Sequence, residues 1–157
     1  MNLVEMLTPD RICLNLPGND KRQVIEALLD LACDTGKVAD RQKALDCVLQ
    51  REARMSTGME FGVAIPHGKT DAVEDMLAFL AVKPEGVDFD ALDGSRSQIF
   101  LFTLSPLNRR GPHVQFLTGV SRILTNENLR ERLIAAGTPQ EAVDILLSGV
   151  TPVQRTE

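Results

Sequence analysis

An almost uninterrupted apolar run, SQIFLFTL over residues 97–104, constrains the fold more than any other feature of this chain. Such a run is typical of a central strand that is buried on both faces of a sheet, so helices must cover it from both sides. Residues 76–82 predict a second buried strand, and the Pro-Glu-Gly at 84–86 predicts a turn after it. The alternating sequence RICLNL at 11–16 predicts another strand.

Helical periodicity before the apolar run predicts two covering helices. Asp20 and Gln23 resemble a capping box, and apolar residues follow them at helical spacing until Gly36, a plausible C-terminal stop. Asp40 predicts the cap of a second helix that continues through about Arg51.

Helix signals also follow the apolar run. Asn126 predicts the cap of a short helix that ends near Gly137, and the sequence TPQE at 138–141 predicts the start of a last helix, which Gly149 would end. The tail at 150–157 is expected to be frayed. The order of elements predicts an α/β fold in which helices flank the sheet on both faces.

Length, charge and composition limit the possible classes of protein. The 157 residues suffice for a single domain, which we predict over 1–157 with its core at about 3–149. The net charge of -5, without a run of Lys or Arg, argues against nucleic acid as a partner. No apolar stretch approaches the roughly 20 residues that span a bilayer, and the N-terminus lacks a signal-peptide pattern. We therefore expect a cytoplasmic protein without direct membrane insertion.

The two histidines of the chain both lie where a loop meets a regular element. His67 follows a predicted strand at 63–65, and Pro66 and Gly68 predict that it sits on a tight turn, whereas His113 is predicted to open a helix. A neutral imidazole is a competent nucleophile. Pro66 would restrain the chain, and Gly68 would let the backbone approach a ligand. An ordinary solvated turn residue remains the alternative interpretation of His67.

Polar residues near these positions suit a phosphoryl group. Residues 52–62 predict a loop, in which Ser56 and Thr57 could offer hydroxyls to an oxyanion. Arg51 could supply a guanidinium, and His113 could add a donor at the positive end of a helix. Phosphoryl transfer needs a positioned nucleophile and positive charge. Taken singly, Arg51 and His113 are equally consistent with surface roles.

Other chemistries have weaker signals. The cysteines at 13, 33 and 47 form no C-x-x-C motif, which predicts free thiols, and no pair of histidines has metal-ligand spacing. The serine-hydrolase motif G-x-S-x-G and the nucleotide-binding glycine motifs are both missing from the sequence. We therefore expect neither a metal nor a cofactor.

The residues around His67 resemble a known signature. Arg51 with Glu52, the sequence STG at 56–58 and GVAIPHGK at 62–69 are similar to the active-site signature of enzyme IIA domains of the fructose/mannitol type. These belong to the bacterial phosphoenolpyruvate-dependent sugar phosphotransferase system, and its nitrogen-regulatory members look similar. Residues 113–124 resemble the second histidine of that family and the helix after it. The likeness covers about 3–149.

The resemblance implies a fold and a function. It implies a mixed sheet flanked by helices, and a phosphotransferase in which His67 is transiently phosphorylated, with His113 and Arg51 beside the phosphoryl group. The donor would be HPr or its nitrogen-branch counterpart. The acceptor would be a IIB domain on the route to sugar uptake, or a regulatory target in a standalone nitrogen-regulatory protein.

Two segments depart from the family pattern. MEFG at 59–62 places Glu60 and Phe61 where many members carry small and polar residues, and the loop at 108–112 is unusually basic. Met55, Met59 and Phe61 are candidates for an apolar rim that a partner protein contacts. The alternative is that they pack inward and order the loop.

Overall fold

A five-stranded sheet forms the centre of the fold in the computed structural model, which describes residues 6–107 and 121–154, with the backbone alone from residue 149. The strands are β1 (Ile12–Cys13), β2 (Val63–Ala64), β3 (His67–Lys69), β4 (Leu77–Val87) and β5 (Ser97–Ser105). The helices that lie wholly within this part are α1 (Lys21–Cys33), α2 (Arg41–Arg54), α3 (Glu127–Ala135) and α4 (Pro139–Gln154). None of the helices described is long and apolar enough to cross a membrane.

The sheet is mixed, and β5 lies inside it. The strand order is β1-β4-β5-β2, and β3 also pairs with β5. β4 and β5 are antiparallel, whereas β1 pairs in parallel with β4, and β2 and β3 pair in parallel with β5. The prediction of a central strand over the apolar run is therefore confirmed.

Alternate side chains of the central strands fill two separate cores. Phe79, Phe100 and Phe102 pack with the apolar faces of α1 and α2. Leu80 and Leu101 point to the opposite face and pack with α3 and α4. This alternation follows from the period of two along a strand. The predicted α/β fold, a mixed sheet with helices on both faces, is confirmed.

The caps predicted from the sequence are present. In each, a side-chain oxygen at the cap accepts a hydrogen bond from the backbone N–H three residues later: Asp20 from Gln23, Asp40 from Lys43, Asn126 from Leu129, and Thr138 from Glu141. Gly36 has φ +77° and donates its N–H to the carbonyl of Cys33, the last residue of α1. Local side-chain chemistry therefore fixes where these helices begin and end.

The predicted turn at 84–86 is wrong. β4 continues through it to Val87, with a shift of register between Val82 and Val87. The carbonyls of residues 84–86 accept hydrogen bonds from the side chains of Gln98 and Arg96 instead of a regular ladder. Proline and glycine therefore produce an irregularity within a strand here and do not reverse the chain.

Three predicted boundaries also differ from the structure. α4 continues past Gly149 to Gln154, because one glycine lowers helix propensity by about 1 kcal/mol without ending a helix. α2 ends at Arg54 and not at about Arg51, so the loop after it is shorter than the predicted 52–62. The strand predicted at 11–16 is paired only over β1.

Candidate functional site

His67 begins a short strand and does not sit on a tight turn, so that prediction is wrong. β3 pairs in parallel with β5, and His67 lies opposite Thr103. The chain stays extended through Pro66, whose carbonyl accepts the N–H of Thr103 at 3.3 Å. Because proline has no N–H to donate, it interrupts the edge between β2 and β3 without turning the chain away from β5.

The imidazole of His67 is held through one of its two ring nitrogens. Nδ1 lies 2.8 Å from the carbonyl oxygen of Ile65. A carbonyl oxygen can only accept a hydrogen bond, so Nδ1 must carry a proton. In the neutral ring, the lone pair is then on Nε2. Since His67 is half-buried, the structure presents a nucleophilic nitrogen with a defined direction.

Gly68 lets α2 lie close against β3. A Cβ atom at this position would lie 3.1 Å from Cγ2 of Val48 and 3.2 Å from Sγ of Cys47. The Cys47 thiol also donates to the carbonyl of Lys69 at 2.6 Å. The glycine therefore permits the approach of a helix, which the sequence did not predict. Its role in the approach of a ligand stays a prediction.

Arg51 lies on the last turns of α2, three residues after Val48 and therefore on the side of the helix that meets β3. Its Nη1 donates to the carbonyl of Met55, the C-cap of α2, at 2.8 Å. The guanidinium thus closes the end of its own helix, where the dipole favours a cation. Contact between Arg51 and a phosphoryl group stays a prediction.

The hydroxyls of Ser56 and Thr57 are engaged within the protein. Ser56 donates to the carbonyl of Phe89 at 2.7 Å and accepts from the N–H of Gly58 at 3.0 Å. Thr57 donates its hydroxyl to Oε1 of Glu52 at 2.6 Å and its N–H to Oε2 at 2.8 Å. The structure gives both side chains a role in ordering the loop, and their support of a phosphate stays a prediction.

Glu52 is a buried carboxylate whose role the sequence reasoning did not identify. Only 7% of the residue is exposed, and its Oε2 forms an ion pair with Nζ of Lys21 at 2.8 Å. A signal was present, because Glu52 falls on the same helical stripe as Leu45 and Val48. An acidic residue on an apolar stripe indicates a buried partner.

The loop between α2 and β2 exposes large apolar side chains. Met55 is 66% exposed and Phe61 is 55% exposed, whereas Met59 is half-buried. The guanidinium of Arg130 lies over the Phe61 ring, 4.7 Å from its centroid. The exposure of Met55 and Phe61 agrees with the prediction that these side chains belong to an apolar rim that a partner protein contacts.

Asp93 holds the backbone of this loop. Its carboxylate accepts from the hydroxyl and N–H of Ser95 and from the N–H of Phe61, which has φ +62°. These hydrogen bonds, with those from Ser95 largest, lower the pKa of Asp93 to about 2. Asp93 is therefore ionised at neutral pH, and it fixes the exposed Phe61 in a conformation that a bulky residue rarely adopts.

The cysteines form no alternative nucleophilic centre. Cys13, Cys33 and Cys47 are free and half-buried. Burial raises the pKa of the Cys33 and Cys47 thiols, so both stay protonated at neutral pH. In residues 6–107 and 121–148, no group of three or more His, Cys, Asp or Glu side chains could hold a metal ion. His67 is thus the candidate nucleophile of the described site.

His113 and the basic loop at 108–112 lie outside the described residues. The structure does show where the chain leaves the sheet before them. β5 ends at Ser105, which is paired with Lys69, two residues after His67. The segment that contains His113 therefore follows a strand end beside β3.

Comparisons with known proteins show the family of the chain. The family model for the phosphoenolpyruvate-dependent sugar phosphotransferase system, EIIA 2, matches residues 5–149. The chain belongs to this family. It is 42% identical over 144 residues to the PTS system fructose-specific EIIA component of Haloferax volcanii, covering 91% of this chain and 94% of that protein. The resemblance inferred from the residues around His67 is therefore confirmed.

Nitrogen regulatory proteins are also among the proteins similar to this IIA protein. The nitrogen regulatory protein of Pseudomonas aeruginosa is 29% identical, over 94% of this chain and 96% of that protein. The crystal structure of nitrogen regulatory protein IIA-Ntr from Neisseria meningitidis has a TM-score of 0.82 and 28% identity, covering 92% of this chain and 98% of that one. Both branches named by the resemblance are thus represented among its relatives.

Proposed function

We propose that this IIA protein is a phosphocarrier that accepts a phosphoryl group on Nε2 of His67 and passes it to a IIB partner during sugar uptake. The observation that carries this proposal is the contact of Nδ1 with the Ile65 carbonyl at 2.8 Å, which leaves Nε2 as the nitrogen with a lone pair. The donor is an HPr-type carrier with a phosphorylated histidine, and the exchange takes place in the cytoplasm.

The transfer balances without a cofactor. The lone pair of Nε2 forms a bond to phosphorus while the bond from phosphorus to the donor's ring nitrogen breaks, and that electron pair returns to the donor ring. Nδ1 of His67 keeps its proton and donates it in the hydrogen bond to the Ile65 carbonyl, which favours the positive charge that the ring acquires. Onward transfer reverses these steps with the nucleophile of the IIB partner.

Arg51 and His113 are proposed to stabilise the phosphoryl group. Arg51 comes from the face of α2 that packs on β3, and β5 ends beside β3 before the segment that contains His113. A phosphohistidine carries about two negative charges, which a cation and a neighbouring imidazole offset without burying the group. Ser56, Thr57 and Gly68 would order the loop and strand around it.

Arg51→Ala is expected to slow phosphoryl acceptance about 10- to 100-fold, because a hydrogen bond to a charged group contributes about 1.5–3 kcal/mol. The rate is measured by following the phosphorylated protein after mixing with phosphorylated HPr. Arg54→Ala, in the same last turn of α2, is the matched control, since Arg54 is exposed. Equal rates for the two variants would show that Arg51 only closes its helix.

Sugar uptake is the primary proposal, because the relative with 42% identity is a fructose-specific component whereas the nitrogen-regulatory protein is 29% identical. A fructose-type sugar is therefore the substrate class that the relay would serve. The TM-score of 0.82 to IIA-Ntr supports the second candidate, a standalone regulator whose phosphorylation state controls transporters, kinases or transcription.

An acceptor assay distinguishes the two candidates. The phosphorylated protein is freed of its donor and mixed with a fructose-type IIB domain, and the phosphoryl group on each protein is followed by intact mass. Rapid movement to IIB supports sugar uptake. Retention of the group on this protein, together with faster loading by the nitrogen-branch donor than by HPr, would contradict uptake and favour regulation.

A further inference from the structure

We infer that Glu52 is a positioning residue for His67, and that it sets which ring nitrogen is free to react. This inference rests on the proposed function of His67. It depends on a continuous series of hydrogen bonds that begins at the buried Glu52 carboxylate and ends at the imidazole. Every member of the series lies in the described part of the chain.

The first link joins Glu52 to Thr57. Oε1 accepts the Thr57 hydroxyl at 2.6 Å and Oε2 accepts the Thr57 N–H at 2.8 Å. Both oxygens therefore hold one residue, through its side chain and its backbone. A carboxylate accepts from both groups with charged oxygens, whereas a neutral amide has one acceptor and would have to donate to the hydroxyl.

The second link joins Thr57 to Ile65. The Thr57 carbonyl accepts the N–H of Ile65 at 3.0 Å, and an antiparallel bridge between Gly58 and Ala64 supports the same pairing. The third link is the contact of the Ile65 carbonyl with Nδ1 of His67 at 2.8 Å. A displacement of Thr57 therefore moves Ile65, the residue whose carbonyl contacts the imidazole.

Lys21 stabilises the charge at the start of the series. Its Nζ lies 2.8 Å from Oε2 of Glu52 and 3.1 Å from Oδ2 of Asp90, and it lies 4.9 Å from the centroid of the Phe89 ring. Burying a carboxylate costs free energy unless a cation offsets its charge. The ion pair thus keeps both oxygens of Glu52 available to Thr57.

The inference predicts a change at a ring that Glu52 does not touch. In Glu52→Gln, the NH₂ group can only donate to the Thr57 hydroxyl, so that hydrogen bond is reversed and both contacts to Thr57 lose their charge assistance. The loop is then held less firmly, and the Ile65 carbonyl selects one tautomer less strongly. The neutral His67 ring should then change from mainly Nδ1–H to a mixture with Nε2–H. Phosphoryl acceptance should fall about 10-fold, as expected when one hydrogen bond to a charged group is lost.

The test measures the tautomer and the transfer rate separately. Ring ¹⁵N shifts of the unphosphorylated protein report the tautomer, and the His67 signals are those missing from the His67→Ala spectrum, since the chain has two histidines. Asp90→Asn is the matched control, because it removes the other acidic partner of Lys21 without changing Thr57. It should leave both the tautomer and the rate as in the wild type.

Each outcome bears on the inference. A mixed tautomer and a slower rate in Glu52→Gln, with Asp90→Asn unchanged, would support it. An unchanged tautomer in folded Glu52→Gln, or an unchanged rate despite a mixed tautomer, would overturn it, as would the same tautomer change in Asp90→Asn. If wild-type protein takes up no phosphoryl group, the proposed function fails, while the tautomer still decides the link to Glu52.

A second variant addresses the case in which Glu52→Gln does not fold. In Glu52→Gln, the largely buried Lys21 would lie beside an uncharged side chain, which could prevent folding. The double variant Lys21→Met with Glu52→Gln removes both charges but still lacks the second acceptor for Thr57. It should show the same mixed tautomer. A wild-type tautomer in the folded double variant would overturn the inference.

Discussion

His67→Ala is expected to abolish phosphoryl acceptance completely. Alanine has no lone pair to attack phosphorus, and the Cys33 and Cys47 thiols have pKa values raised by burial, so neither is a substitute nucleophile. Intact-protein mass after incubation with phosphoenolpyruvate, enzyme I and HPr measures the result. The wild type should gain one acid-labile phosphoryl group, and the variant should gain none.

His113→Ala is the matched control, because it removes the other imidazole of the chain. It should still gain a phosphoryl group but should pass it onward more slowly, since His113 is proposed to hold the group and not to form the bond. An acid-labile adduct that persists in His67→Ala would show that another residue is the nucleophile. Unimpaired onward transfer by His113→Ala would remove His113 from the site.

Phe100→Ala is expected to lower the free energy of unfolding by about 3–5 kcal/mol. Phe100 is fully buried in β5, its ring meets Phe89 edge-on at 5.5 Å, and it lies opposite Ala64 of β2. Truncation would leave a cavity between β5, with which the site strand β3 pairs, and the covering helices α1 and α2. Urea denaturation, monitored by circular dichroism, gives the free energy and the slope m.

Phe61→Ala removes the same aromatic ring from an exposed position and serves as the control. Phe61 is 55% exposed, and its ring forms a cation–π contact with the guanidinium of Arg130. An exposed cation–π contact contributes about 0.5–1 kcal/mol, so the free energy of unfolding should fall by no more than that. Equal losses for the two variants would contradict the described core.

The features predicted correctly from the sequence are those that local chemistry decides. The caps at Asp20, Asp40 and Asn126 each use an acceptor three residues from its donor, so they are visible in a short window of sequence. The central strand at 97–104 is visible for a similar reason, because its apolar run leaves no solvent-facing side. The family resemblance around His67 added the mixed sheet.

The features that were missed depend on contacts between distant parts of the chain. The irregular strand at 84–86 is stabilised by side chains from Arg96 and Gln98, and Pro-Glu-Gly alone reads as a turn. His67 is extended because its strand pairs with Thr103. No local pattern contains these partners.

Glu52 shows the same limit at the site itself. Its burial could be suspected from its helical stripe, but its cation, Lys21, belongs to another helix, and the donors of Thr57 belong to the following loop. The hydrogen bond from His67 to the Ile65 carbonyl joins residues two positions apart, yet its direction depends on how β3 pairs with β5. The sequence therefore indicated His67 as the candidate nucleophile, and the structure shows which of its ring nitrogens contacts the Ile65 carbonyl.

The most direct test of the central claim is the position of the phosphoryl group on the imidazole. Protein labelled with ¹⁵N at its histidine rings is phosphorylated through HPr, and the phosphorus–nitrogen coupling and ring ¹⁵N shifts are measured by NMR. We predict a single phosphoryl group on Nε2 of His67, with Nδ1 still protonated against the Ile65 carbonyl. A phosphoryl group on Nδ1 of His67, or on His113, would contradict the site described.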